Sequence, residues 1–221
     1  MPAFDTAHVK NIALLGHAGS GKTTLAECMI YEAGLITRRG SVEERNSVSD
    51  YHELEQERGN SVFTSLLHTT WRGYKINILD TPGYDDFSGE VISALRVADT
   101  GVMVLNAVEG VEVGNDIVWS YTEEFKTPML FAINKLDHEN ADFNRTLQEA
   151  KAHFGSNVVA VQYPLNAGTG FNQVIDLLHM VMYEFSPDGG KPKKLPIPDS
   201  EKETADRMHH SGAGKIAVTL P

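Results

Sequence analysis

The sequence predicts an α/β fold: a mainly parallel sheet with helices on both faces and one antiparallel hairpin. Two observations carry that expectation. Short apolar runs alternate with stretches of helical periodicity along most of the chain, and parallel neighbours need such helical crossovers. Two further runs, SVFTSLLHTTW and YKINILD, are separated only by Arg72-Gly73, too short for a crossover and suited to a hairpin turn.

The elements follow in order. VKNIALL, from Val9 to Leu15, is an apolar run of strand length. The glycine-rich GHAGSGKT comes next, and TLAECMIYEA then has the spacing of an amphipathic helix. From Thr37 to Asn60 the chain is polar without apolar period, a long surface loop with a short helix at DYHELEQE. After the hairpin and a DTPG turn come a helix near Glu90 to Val97, the strand GVMVLNA and a helix around Asp116 to Phe125. The strand PMLFAIN, the helix ADFNRTLQEAKAHF and the strand NVVAVQY complete the alternation. SPDGGKPKKLPIPDS, rich in proline, glycine and lysine, reads as a linker where the compact domain ends or is interrupted.

Composition removes some functions. With 19 Lys and Arg against 30 Asp and Glu, the net charge of −11 leaves no overall basic field for gathering phosphate backbones, so DNA is not an expected partner. The N-terminus has no basic segment leading into an apolar one, and no run approaches eighteen apolar residues, so the expectation is a cytoplasmic chain without a membrane segment. The single Cys28 cannot close an internal disulfide and reads as a small core residue.

Three motifs carry chemistry. Gly16, His17, Ala18, Gly19, Ser20, Gly21, Lys22 and Thr23 fit GxxxxGK[ST] between a strand and a helix, with Thr24 following. Glycines let backbone N–H groups converge on phosphate oxygens, and the helix start adds its positive dipole end. Lys22 would reach the β- and γ-phosphates, and the Thr23 hydroxyl would ligate Mg²⁺. Asp80 ends an apolar strand, where its carboxylate can hold a magnesium-bound water; Thr81, Pro82 and Gly83 form the turn that brings a small residue's N–H to the γ-phosphate. Asn134, Lys135 and Asp137 of NKLD offer base recognition, with the Asp137 carboxylate accepting two N–H bonds from a guanine edge and the Lys135 stem lying along the base.

Together GHAGSGKTTL, DYHELEQERGNSVFTS, DTPGYDDF and NKLDHENADF resemble the GTPase domain of translational GTPases, in particular elongation factor G and its divergent paralogues. The resemblance covers about residues 9 to 185 and implies the P-loop GTPase fold, with residues 1–163 as the GTPase domain and 164–221 as the beginning of an inserted subdomain and linker. It also implies GTP and GDP as substrate and product, Mg²⁺ as cofactor, a cytoplasmic location, and the ribosome as partner in translocation. By the same resemblance Ser61 takes the position of the switch hydroxyl in the magnesium shell.

Several departures touch hydrolysis. Tyr84 stands where the family carries the histidine that orients the attacking water, and Gly19 where it usually carries an aspartate linked to a monovalent cation. Asn60 replaces a bulky aliphatic residue, facing the small Ala18 across the proposed water. Tyr84, with Lys22, is therefore the expected catalytic position, and reduced GTPase activity is expected. The alternatives are a GTP-occupancy module with little hydrolysis, or a GTPase of the ribosome-protection or release-factor type. The family's last guanine box is not found: AGKIAVTLP resembles the strand ahead of it, and NAGTG, Asn166 to Gly170, sits among residues that match the insert. The chain thus reads as truncated, without the later domains of elongation factor G.

The remaining features have plain readings. His17 is expected to be satisfied by backbone, and Phe125, Phe131, Phe143 and Phe154 to be core. Lys191, Lys193 and Lys194 are expected in a solvated linker, and His209 and His210 lack the partners of a metal site.

Overall fold

The computed structural model describes residues 4–187 and 190–212. The chain divides into two compact units, Met1–Asn106 with Glu112–Asn134, and Ala107–Val111 with Lys135–Pro221.

The first unit holds a five-stranded sheet. Its strands are β1 (Val9–Leu15), β2 (Ser65–Trp71), β3 (Tyr74–Asp80), β4 (Thr100–Asn106) and β5 (Met129–Asn134), in the order β2-β3-β1-β4-β5. Strands β3, β1, β4 and β5 are parallel, and β2 runs antiparallel to β3. The hairpin turns on Arg72 and Gly73, both left-handed at φ +47° and +84°, the backbone that suits the right-handed twist of the strands. Helix α1 (Lys22–Glu32) covers one face, where Leu14, Ile78, Ala26 and Ile30 form a core cluster with Val102 at its margin. Strand residues alternate faces, so the buried Ala13, Leu15, Met103 and Leu105 point the other way. There α3 (Ser88–Leu95) packs on β1 and α4 (Val113–Phe125) on β4, with Asn115 Nδ2 donating to Met103 Sδ at 3.5 Å. The short helix α2 (Glu53–Arg58) lies within the long polar loop, as its sequence suggests, and stops at the left-handed Gly59.

The second unit comprises α5 (Phe143–Phe154), an antiparallel sheet β6-β7-β8-β9 and α6 (Asp199–Gly212). Its strands are β6 (Gln162–Pro164), β7 (Gln173–Asp176), β8 (Val181–Glu184) and β9 (Lys193–Leu195). Tyr163, Ile175, Leu177, Met182, Ile197 and Ala205 form its core, with Phe143 of α5 packed against them.

Four expectations differ from the structure. NVVAVQY does not extend the parallel sheet: only its last two residues, Gln162 and Tyr163, are strand, in β6, which pairs antiparallel with β7 at the edge of the second sheet. The expected linker contributes β9, in which Lys193 and Lys194 pair with Glu184 and Tyr183, and Lys193 Nζ lies 3.6 Å from Glu184 Oε1. Of the four phenylalanines only Phe154 is fully buried; Phe125, Phe131 and Phe143 are half-buried. Cys28 is also half-buried, its sulfur meeting Arg39 Nη1 at 3.6 Å. AGKIAVTLP lies outside the described residues. Among the described residues no helix is long and apolar enough to cross a membrane.

Asp176 ends β7 and holds the turn into β8. Its carboxylate accepts from Leu178 N at 2.8 Å and His179 N at 3.1 Å, and lies 3.0 Å from His179 Nδ1. Burial alone would raise its pKa, but these hydrogen bonds outweigh burial and hold the carboxyl below its usual range. A carboxyl depressed in the fold stabilises above its unfolded pKa and loses that contribution as pH falls through the folded one. Asp176→Asn is expected to cost about 1–3 kcal/mol at pH 7 in urea unfolding, with the difference from the parent vanishing near about pH 2. An equal difference at both pH values would remove this electrostatic account.

Candidate functional site

The phosphate loop leaves β1 through Gly16 and enters α1 through Gly21, two positions that admit only glycine. A Cβ on Gly16 would lie 2.5 Å from Val104 O, and one on Gly21 would lie 2.3 Å from Asn134 Nδ2; both have positive φ. Lys22 is buried, and its Nζ donates to Gly16 O at 2.8 Å and His17 O at 2.9 Å. Burial lowers its pKa to about 8, offset in part by Asp80, Glu112 and Asp50. A desolvated ammonium inside a loop at a helix start is an anion site. Asn134, at the end of β5, donates from Nδ2 to Ser20 O at 2.9 Å and so clasps the loop from the side. Ser20 is buried, whereas Thr24 is exposed on the first turn of α1.

His17 differs from expectation. Its ring is not satisfied by backbone: Nε2 lies 3.4 Å from Glu112 Oε1, and Nδ1 is buried without a hydrogen-bond partner. The absence of a side chain at Gly114 gives the ring its room, since a Cβ there would stand 2.5 Å from His17 Nδ1.

Thr23, Ser61 and Asp80, from three distant stretches of sequence, come together. Thr23 Oγ1 and Ser61 Oγ are 3.4 Å apart, and Ser61 Oγ donates to Asp50 Oδ1 at 2.7 Å. Asp80 Oδ2 accepts from Ser49 Oγ at 2.5 Å, while Asp80 Oδ1 and Asp50 Oδ2 are buried without partners. Burial raises the Asp80 pKa to about 6 against hydrogen bonds from Ser49 and Thr23, and raises that of Asp50 too. Ser49 and Asp50 were not singled out in the sequence; their signals were a hydroxyl and a carboxylate side by side in SVSD and the place of Asp50 at the head of DYHELEQERGNSVFTS. Two buried carboxylate oxygens lacking donors, beside two hydroxyls, suit a hard cation such as Mg²⁺. Among the described residues no group of three or more His, Cys, Asp or Glu is placed for a metal, so such a cation depends on hydroxyls, water and phosphate as well.

The turn after β3 lies directly over the phosphate loop. Thr81 is anchored by Oγ1 donating to Leu14 O at 2.6 Å, and Pro82 is buried. A Cβ on Gly83 would lie 2.5 Å from Lys22 Nζ and 2.6 Å from Ala18 N. Tyr84 follows at once, 47% exposed, as the cap of a 3-10 turn over Asp85–Phe87. Gly19 has φ +76°, with open space where a Cβ would stand. Asn60 Oδ1 is buried without a partner, and the residues after it are held by Glu55, whose Oε1 accepts from Val62 N and Phe63 N at 3.0 Å each.

Lys135 and Asp137 fall in the second unit, where both are exposed and Lys135 is left-handed at φ +59°. The NAGTG loop lies against the same turn: Gly168 N donates to Leu136 O at 2.7 Å, and Asn166 Nδ2 ties the loop to Gly170 O at 3.0 Å.

The chain resembles known proteins over most of its length. Residues 7–208 match the family described as the elongation factor Tu GTP binding domain. Elongation factor G of Mycoplasma pneumoniae is 35% identical over 207 residues, which cover 92% of this chain and 30% of that protein. A crystal structure of a Thermus thermophilus protein superposes with a TM-score of 0.87 at 32% identity, covering 93% of this chain and 31% of that one. The chain thus spans about a third of the length of these relatives. A phosphate loop, a DTPG turn closing on it and an Asn134 clasp stand on a mostly parallel sheet with one antiparallel strand, and the chain belongs to the elongation factor Tu GTP-binding domain family, related to elongation factor G.

Proposed function

We propose that the chain binds GTP with Mg²⁺ in the cytoplasm, acts with the ribosome in the elongation stage of protein synthesis, and hydrolyses GTP slowly. The loop of Gly16 to Thr23 with Thr24 would cradle the phosphates, Lys22 would neutralise charge on the β- and γ-phosphates, and Thr81 to Gly83 would face the γ-phosphate. Thr23, Ser61 and Asp80 would hold Mg²⁺, which when bound neutralises phosphate charge. Asn134, Lys135 and Asp137 would fix guanine.

One observation carries the slow rate. Tyr84 directly follows Gly83, where an added Cβ would meet Ala18 and Lys22, so whatever it presents would stand beside the γ-phosphate of a bound GTP. Hydrolysis needs a water held in line with the departing oxygen, and a residue here contributes by orientation. Gly19 and Asn60 add to the deficit: the first brings no carboxylate, and the second puts a polar oxygen where a greasy wall would hold the water. The same features favour, as a second reading, a module that signals by GTP occupancy.

Single-turnover hydrolysis with and without ribosomes is the test, with ATP as the control nucleotide. The expected result is magnesium-dependent binding of GTP but not ATP, and hydrolysis that ribosomes accelerate little. A rate equal to that of an ordinary elongation factor G measured alongside would end the slow-hydrolysis proposal, and equal binding of ATP would end the guanine assignment.

A further inference from the structure

We propose that Glu27, in the middle of α1, is a positioning residue that latches the polar loop in its nucleotide-ready arrangement and so favours GTP over GDP; this rests on the GTP-binding role proposed above. Glu27 is 1% exposed, and the donors that satisfy its carboxylate all come from one loop. Gly40 N donates to Oε2 at 3.0 Å, Ser47 Oγ donates to Oε1 at 3.1 Å, and Val48 N donates to Oε1 as well. Gly40 has no room for a side chain, because a Cβ would stand 2.4 Å from Asn46 O; the loop is folded back on itself at the latch.

From the latch a continuous set of hydrogen bonds leads to the phosphate side. Ser47 Oγ accepts from Ser49 N at 3.1 Å and from Asp50 N at 3.4 Å. Ser49 then donates to Asp80, and Asp50 accepts from Ser61, which meets Thr23. Of the groups that would surround Mg²⁺, the loop's own Ser61, through Asp50 and Ser47, is thus connected to one carboxylate about a turn and a half of helix beyond Lys22.

The chemistry of the latch suits a reversible device. A buried carboxylate must have its donors, and here they leave together if the loop opens, whereupon water replaces them. Opening and closing exchange one set of strong hydrogen bonds for another, which keeps the two states near balance. A ligand shifts such a balance only by binding one state better. GTP with Mg²⁺ would engage the Ser61 hydroxyl of the closed loop, whereas GDP has no γ-phosphate to reach it.

The experiment compares the 221-residue chain with Glu27→Ala and Ser47→Ala. Ser47→Ala removes the relay hydroxyl while leaving α1 intact, so it decides the matter if Glu27→Ala does not fold. Without nucleotide, trypsin cleavage after Arg38, Arg39 and Arg45 is expected to accelerate about tenfold in Glu27→Ala and less in Ser47→Ala. With Mg²⁺, affinity for a non-hydrolysable GTP analogue should fall about tenfold or more in Glu27→Ala, with Ser47→Ala following in the same direction, while GDP affinity stays within about threefold. Unchanged cleavage in both variants would overturn the latch. Faster cleavage with equal loss of both nucleotides would reduce Glu27 to a purely structural role and also overturn the proposal. If the parent chain bound no guanine nucleotide, the proposed function and the nucleotide coupling would both fall, and the cleavage result would still say whether the latch exists.

Discussion

Tyr84→His is expected to hydrolyse GTP faster than the parent in single turnovers on ribosomes, recovering part of a deficit of roughly 10²- to 10⁴-fold. That range is the usual contribution of one orienting or proton-handling group. A phenol can hydrogen-bond a water, but its neutral hydroxyl is a poorer proton acceptor than an imidazole nitrogen, and it places its oxygen farther from the backbone than imidazole places its nitrogens. Tyr84 is half exposed at the head of a 3-10 turn, so an imidazole can be accommodated there without repacking the core. Recovery should be incomplete because Gly19 and Asn60 remain. Adding Asn60→Ile tests the remainder, and a Tyr84→His rate no greater than the parent's would show that the tyrosine is not the obstacle.

The second large effect concerns the base. Asp137→Asn is expected to weaken GTP binding by about 2–5 kcal/mol and to turn preference toward xanthine nucleotides. The carboxylate would accept from the guanine ring N–H and exocyclic amine; an amide brings its own donor to one of those positions, which matches the xanthine carbonyl instead. Competition of GTP and XTP against a fluorescent nucleotide reads both effects in one titration. Loss of affinity for both nucleotides in equal measure would mean that Asp137 supports the turn rather than reading the base.

Much of the first unit was legible because its signals are local. Strand length, glycine spacing and helical period place β1, the phosphate loop and α1 within a residue or two, and the two-residue hairpin announces itself at Arg72-Gly73. The second unit was harder. β6 and β9 are three residues each, too short for period-2 alternation to stand out, and β9 lies in a segment whose prolines and lysines suggest a linker. The site divides in the same way. Motif residues could be named from spacing, but Ser49, Asp50 and Glu27 act through partners 31, 11 and up to 21 positions away, and a carboxylate in an amphipathic helix gives no sign of being buried under a returning loop.

The clasp from Asn134 to Ser20 has a consequence for how such a protein can change over generations. Asn134 belongs by sequence to the motif read as base recognition, yet its amide grips the backbone of the loop proposed to cradle the phosphates. A lineage could drift in its choice of purine through Asp137 and still hold a triphosphate at every intermediate step. No comparable path runs through Asn134: replacing it would loosen the loop for every nucleotide at once, and binding of inorganic tripolyphosphate would weaken along with that of GTP. Of two letters in one short motif, one is free to be retuned and the other is bound to whatever ligand the loop still serves.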